Sequence, residues 1–275
     1  GMARCLLSRG YAVVGWNRTL SKAIKLKNAG LIIAESLKEL VEETNIIFIM
    51  VSDINAVESV LFGVNGLIEY LTENIVIINS STITPSAARK FANRLKNKQV
   101  QYIDAPVLGG PRDAEEGKLI FLVAPKNVIH NEVRKIIEDL SEKIFLFEKI
   151  GDASAMKLIF NMVAPSALIL LGEAINLGLK YGLDEEKIVE VLSLGPMKSV
   201  IDRYYKKIIN PKTPVTFSLK LMTKDLHYAN RFAYEVGMPL LIPSLAENIY
   251  RGMPFLLPIY MSLLLILFSP RFYLP

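Results

Sequence analysis

Through residues 1–150, short apolar runs alternate with segments whose apolar residues recur at helical spacing. Ala12 to Trp16, Ile46 to Met50, Ile75 to Asn79, Gln101 to Asp104 and Leu119 to Ala124 read as strands. Several are apolar at every position rather than at alternate ones, as expected of strands covered by helices on both faces. Between them Ser21 to Ala29, Ser36 to Glu43, Ile54 to Leu61, Pro85 to Lys96 and Lys126 to Leu140 carry helical periodicity. Thr19 or Ser21, Ser36 and Thr84 stand at N-cap positions, where a side-chain oxygen can accept from a free helical N–H. Strand–helix alternation at this spacing predicts a doubly wound α/β domain with a parallel sheet.

The pattern changes at Gly151. Ala153 to Tyr181 is one long run, apolar nearly all round, and no strand-like segment follows it. A helix apolar on every face is expected to be buried. Its stretch Leu158 to Leu171 falls short of the roughly 20 apolar residues of a membrane span and contains Asn161 and Pro165, which favours a core helix. The expected organisation is an α/β domain over 1–150 and an all-α domain over 151–275. The tail is unusual from about Gly252. Up to Pro270 it has no charge, contains Leu263-Leu264-Leu265-Ile266-Leu267, is flanked by Arg251 and Arg271, and is interrupted by Pro254 and Pro258. Three readings stay open, in order of preference: a buried or interfacial helix, a divergent tail, and a membrane contact at 252–270.

Composition narrows the class. Hydrophobic residues make up 51% of the 275 and charged ones only 21%, enough apolar surface for a core and incompatible with disorder. The lone Cys5 cannot form an internal disulfide, and Gly1-Met2-Ala3-Arg4 lacks the pattern of a signal peptide, so a reducing, cytoplasmic location is expected. His130 and His227 lie far apart, so no metal site built on His or Cys is expected. The net charge of +5 suits an anionic small substrate or cofactor. Lys22, Lys25 and Lys27 read as a solvated helix face, and without a basic stripe interleaved with aromatics no nucleic-acid partner is expected.

Four motifs carry candidate chemistry. Asn17-Arg18-Thr19 ends a strand where a dinucleotide-binding fold meets the adenosine ribose. An acid there binds a 2′-hydroxyl; Arg18 instead suits a 2′-phosphate, hence NADP over NAD, although a helix cap with a solvated Arg explains the same residues. Asp104-Ala105-Pro106-Val107-Leu108-Gly109-Gly110-Pro111 places adjacent glycines after a strand, where backbone N–H groups can approach an anion or simply turn the chain. Lys157 and Asn161 stand four apart, on one face of the apolar helix. Desolvation there would lower the lysine pKa into the range useful for proton transfer; snorkelling to solvent is the alternative. Phe217 to Leu226 reads alone as an amphipathic helix with a surface Lys224–Asp225 pair. No Gly-x-Gly-x-x-Gly turn occurs; Gly1 to Leu7 resembles the helix that follows one, so a first strand and its turn are expected upstream.

Taken together and in order, these motifs resemble the β-hydroxyacid dehydrogenase family, which includes 3-hydroxyisobutyrate dehydrogenase and related semialdehyde and glyoxylate reductases. The resemblance implies a Rossmann-like domain, here without its first strand, followed by an all-α domain that walls a cleft and forms a homo-oligomer. It implies Lys157 as catalytic lysine with Asn161 its partner, and Val107, Gly109 and Gly110 around the substrate carboxylate. Asn17, Arg18, Thr19, Met50, Val51, Ser52, Thr82 and Lys224 are implied along the cofactor. Leu108 stands where the family usually has Ser, and Phe160 where the decarboxylating relative 6-phosphogluconate dehydrogenase has His. The expected function is NADP-preferring hydride transfer, with NAD possible, to or from a small β-hydroxy acid or semialdehyde. The rival is a non-catalytic module acting through its helical domain.

Overall fold

The computed structural model describes residues 1–128, 130–205 and 217–252. It divides into two compact units, Gly1–Lys157 and Leu158–Pro275, so the division falls within the first turns of the long helix. The apolar tail that prompted three readings lies outside the described residues.

The first unit is α/β. Helix α1 (Met2–Ser8) precedes β1 (Val14–Gly15), α2 (Leu20–Ile24), β2 (Ile32–Ile33), α3 (Leu37–Glu43) and β3 (Ile46–Ile49). Then come α4 (Ile54–Phe62), β4 (Val76–Asn79), α5 (Pro85–Leu95), β5 (Gln101–Asp104), β6 (Val107–Leu108) and α6 (Pro111–Glu116). The unit closes with β7 (Leu119–Val123), α7 (Asn131–Asp139), β8 (Ser141–Leu146) and the start of α8 (Asp152–Tyr181). Strands β3, β4 and β5 form a parallel sheet in that order, with Ile49, Asn79 and Asp104 aligned across its C-terminal end. All four β4 residues are buried, the apolar Val76, Ile77 and Ile78 and the polar Asn79 that ends the strand.

The expected parallel α/β arrangement is present, and hydrogen-bonded pairing divides its strands into three groups. β1 pairs with β2 alone, and β6–β7–β8 form a third sheet in which β6 runs antiparallel to β7. A bridge between Asp104 and Ala124 joins β5 to this third group. β1 nevertheless shares a core with β3: Val14 and Trp16 pack against the cluster that holds Ile47 and Ile49. Two helices are shorter than expected. Gly30, at φ 97°, ends a 3₁₀ turn that follows α2, and α7 begins only at Asn131. Ser36 and Thr84 cap α3 and α5 through their side chains, whereas Thr19 stands at the α2 cap without a side-chain bond.

The second unit is helical throughout its described residues. α8 continues into it and is followed by α9 (Glu185–Ser193), α10 (Lys198–Val200, continued by a π turn to Tyr205), α11 (Leu219–Glu235) and α12 (Leu241–Arg251). Its core joins Leu168, Leu171 and Ile175 of α8 to Met222, Leu226, Ala246 and Tyr250. Tyr250 is fully buried and donates its hydroxyl to the Pro165 carbonyl at 2.7 Å. Pro165 itself has no N–H, so the α8 ladder loses its bond to the Asn161 carbonyl.

The expectation that α8 is buried on every face does not hold within one chain. Val163, Leu170 and Leu177, one per two helical turns, are exposed, as are Ile159 and Phe160. By length and composition α8 could also cross a membrane, a test that the core helix of a soluble protein passes as well.

Candidate active site

The cofactor-side candidates follow the C-terminal ends of parallel strands, where an open α/β sheet leaves its binding crevice. After β1, Asn17, Arg18 and Thr19 are all exposed, and the Asn17 side chain accepts from the Thr19 N–H at 2.9 Å, which shapes the turn into α2. After β3, Met50 and Ser52 are exposed and Val51 is half-buried; Ser52 donates to Asp53, whose other oxygen caps α4 at Ala56. Asn79 at the end of β4 and Ser80 and Ser81 after it are buried polar residues, and Thr82 is half-buried. Ser81 ties the two strand ends together, donating to the Ile49 carbonyl at 3.2 Å and accepting from the Val51 N–H at 2.9 Å. The buried Ser80 hydroxyl has no hydrogen-bond partner among the described residues. An orphaned buried hydroxyl beside exposed polar turns at the C-terminal ends of the strands fits a nicotinamide dinucleotide.

The turn after β6 differs from its expected form. Gly109 has φ 126°, and a Cβ there would lie 2.8 Å from Leu119 Cδ2, so only glycine fits. The Gly110 N–H, however, donates to Asp113 Oδ2 at 2.6 Å. Asp113 reaches back to the cap of α6 in the manner of half a capping box, and the turn does not offer both amides to a substrate. Val107 is buried in the β6–β7 pairing. Leu108 is half-buried against an apolar cluster made by Leu122, Ala124 and Ala153, which Phe147 and Met156 also join. The residue that replaces the family's Ser thus seats the glycine turn against the first turns of α8, one position before Lys157.

Helix α8 begins on a buried carboxylate. Asp104, fully buried at the end of β5, accepts from the Gly151 N–H at 3.1 Å, the Ser154 N–H at 3.0 Å and the Ser154 hydroxyl at 2.7 Å. Burial pushes its carboxyl up to about 6, against the pull of those donors. Lys157, one turn beyond Ser154, is half-buried. Asn161 follows four residues later on the same helix face.

Within the helical unit, Asn161 donates its amide to Asp225 Oδ2 at 2.6 Å. Lys224 lies 3.0 Å from the other Asp225 oxygen, with its side chain only 17% exposed, and packs over the Tyr228 ring at 5.1 Å. The Lys224–Asp225 pair is therefore not the surface pair that helical periodicity suggested. Asp225 is the functional candidate the sequence reading passed over, and the one signal for it was an acid facing the apolar side of α11.

Two family profiles match the chain. The NAD binding domain of 6-phosphogluconate dehydrogenase matches residues 1–149, more than half the chain, and the NAD-binding domain of NADP-dependent 3-hydroxyisobutyrate dehydrogenase matches 151–254. The chain belongs to the β-hydroxyacid dehydrogenase family. As a β-hydroxyacid dehydrogenase it falls in the oxidoreductase class that works with a nicotinamide cofactor. It is 29% identical to glyoxylate/succinic semialdehyde reductase 1 of Arabidopsis thaliana, over 91% of this chain and 87% of that protein. It is equally similar, at 29% over 91% of its length, to the cytokine-like nuclear factor N-PAC of Aedes aegypti, of which it spans only 45%. Among solved structures, 3-hydroxyisobutyrate dehydrogenase of Mycobacterium tuberculosis with L-serine superimposes with a TM-score of 0.81 at 25% identity, covering 91% of this chain and 88% of that one.

Proposed function

We propose that this chain is an NADP-preferring β-hydroxyacid dehydrogenase or semialdehyde reductase with Lys157 as its proton-transfer group. The observation that carries the reading is the packing of Leu108 with Ala153 and Met156, which brings the glycine turn beside the helix that bears the lysine. The cofactor supplies or accepts the hydride when bound. Lys157 takes the hydroxyl proton in the oxidative direction and returns it in the reductive one, a role worth about 10²–10⁴-fold in rate. The Gly109 amide orients the substrate carboxylate. Asn161, held by Asp225, fixes the oxygen on which the proton moves. Arg18, exposed at the ribose end, favours the 2′-phosphate of NADP.

Leu108 in place of a hydroxyl points to a substrate with an apolar substituent beside its carboxylate. A homo-oligomer belongs to the same proposal, because the exposed Val163, Leu170 and Leu177 row of α8 suits a second copy. Sedimentation showing a monomer at micromolar concentration would remove that part. Cys5 favours a reducing compartment such as the cytoplasm.

The test is Lys157→Ala assayed by NADPH oxidation at saturating cofactor against glyoxylate, succinic semialdehyde, methylmalonate semialdehyde and longer 2-alkyl analogues. Turnover should fall at least about a hundredfold while NADPH binding persists. Near-normal turnover overturns the reading. Wild-type protein inactive on every analogue would instead favour a non-catalytic module, the second reading that the similarity to a nuclear factor supports.

A further inference from the structure

We propose that Asp104 is the positioning residue for Lys157, gripping the first turn of α8 so that the lysine is presented at one fixed helical phase. This rests on the proton-transfer reading of Lys157.

The grip is built from both ends of the residue. On the sheet side, the Asp104 backbone exchanges two bonds with Ala124, each 2.9 Å, which immobilises its Cα between β5 and β7. On the helix side, one carboxylate oxygen accepts two N–H groups and the other the Ser154 hydroxyl. A helix leaves its first N–H groups without internal partners, and its positive end favours a negative charge, so one carboxylate answers both needs. Ser154, Lys157 and Asn161 follow at spacings of three and four and share one face. A rotation of the first turn therefore displaces the lysine directly. Gly151 is part of the device: its φ of 98° brings its N–H onto Asp104, and an added Cβ would lie 3.0 Å from the Pro85 carbonyl oxygen.

Charged and titratable groups among the described residues flank the carboxylate. Tyr102 precedes it on β5, Asp152 lies in the first turn of α8, and Arg89 of α5 reaches Gly151. Burial, with a smaller push from the Asp152 charge, leaves Asp104 titrating at about 6, within reach of ordinary assay conditions. Protonation removes the charge from the acceptor and weakens the hold on both amides.

The experiment follows the backbone amide resonances of Gly151 and Ser154 in the full-length chain between pH 5 and 8, alongside turnover, NADPH binding and substrate KM. In wild type both amides should titrate together with one midpoint near 6, and in Asp104→Asn both should be flat. The variant should lose about tenfold in kcat, keep NADPH affinity, and lose the acid limb of its kcat profile. Amides that do not titrate in wild type, or an Asp104→Asn kcat and pH profile equal to wild type, overturn the proposal. If Asp104→Asn does not fold, Ser154→Ala, which removes one tether and keeps the charge, should lower kcat with NADPH binding unchanged; unchanged kcat counts against the grip. Lys157→Ala read beside these separates the two claims. An active Lys157→Ala sinks the lysine's role but leaves the amide titration standing, whereas an inactive one beside a fully active Asp104→Asn sinks only the positioning role.

Discussion

Asn161 and Asp225, on helices α8 and α11, share a 2.6 Å hydrogen bond in which the amide Nδ2 donates to a carboxylate that is only 2% exposed. That bond settles which end of the Asn161 amide is committed, leaving the carbonyl oxygen as the acceptor it can show to a substrate hydroxyl. Asp225→Asn keeps the volume and removes the charge from the bond. A hydrogen bond to a charged group contributes about 1.5–3 kcal/mol, so kcat/KM should fall roughly 10- to 100-fold with NADPH affinity unchanged. Steady-state kinetics beside cofactor fluorescence checks it; equal loss of both would mean that Asp225 supports the fold rather than Asn161.

Arg18 is exposed at the end of β1, with no acid among Asn17, Arg18 and Thr19 to claim a ribose hydroxyl. Arg18→Ala should weaken NADP by at least about tenfold through the lost charged contact and leave NAD nearly untouched. Dissociation constants for the two cofactors decide the matter, and equal weakening of both would refute a phosphate contact.

The buried Asp104 also sets a stability signature. Its carboxyl rises from 3.8 to about 6 on folding, so the folded chain holds the proton more tightly than the unfolded one. Keeping it ionised therefore costs the fold up to roughly 3 kcal/mol above pH 6. That cost disappears as pH falls from 6 toward 4, so this residue makes stability drop as pH rises through that window. Asp104→Asn should abolish the dependence and raise the denaturation midpoint at pH 8 relative to wild type, while lowering turnover. Urea titrations at pH 5 and pH 8 test the sign.

What was legible beforehand follows from how much of each feature is local. Strand β3 and the Ile75 to Ile78 stretch leading through β4 announce themselves as unbroken apolar runs, and the change at Gly151 shows in periodicity alone. Strands β2 and β6 have two residues each, too few for any period, and β8 reads Ser-Glu-Lys-Ile-Phe-Leu, whose polar half hides a strand that fully buries none of its residues. Lys157 and Asn161 stand out as candidates because polar residues four apart on an apolar helix are a local oddity. Asp104 and Asp225 drew no role of their own because their partners lie 47, 50 and 64 residues away, and long-range pairing leaves no periodic trace. The Gly109-Gly110 turn misled in the opposite sense. A glycine pair signals backbone freedom, but which group uses the freed amide depends on Asp113, three residues on.

Asp113 supplies the sharpest test of where a substrate carboxylate sits. Its side chain occupies the Gly110 amide and lies 3.2 Å from the position a Gly109 Cβ would take, so the turn already binds a carboxylate oxygen, its own. An incoming carboxylate must share that amide with a fixed negative charge or use Gly109 alone. Asp113→Ala removes the competitor and the charge together. Substrate KM should fall several-fold with kcat held, while α6 loses a cap interaction of about 1 kcal/mol. The two effects separate cleanly, because the first is read by kinetics on a carboxylate and on its neutral methyl ester, and the second by thermal melting. If KM for the carboxylate does not move, or moves equally for the ester, the acid group of the substrate is seated elsewhere and the turn serves only to start α6.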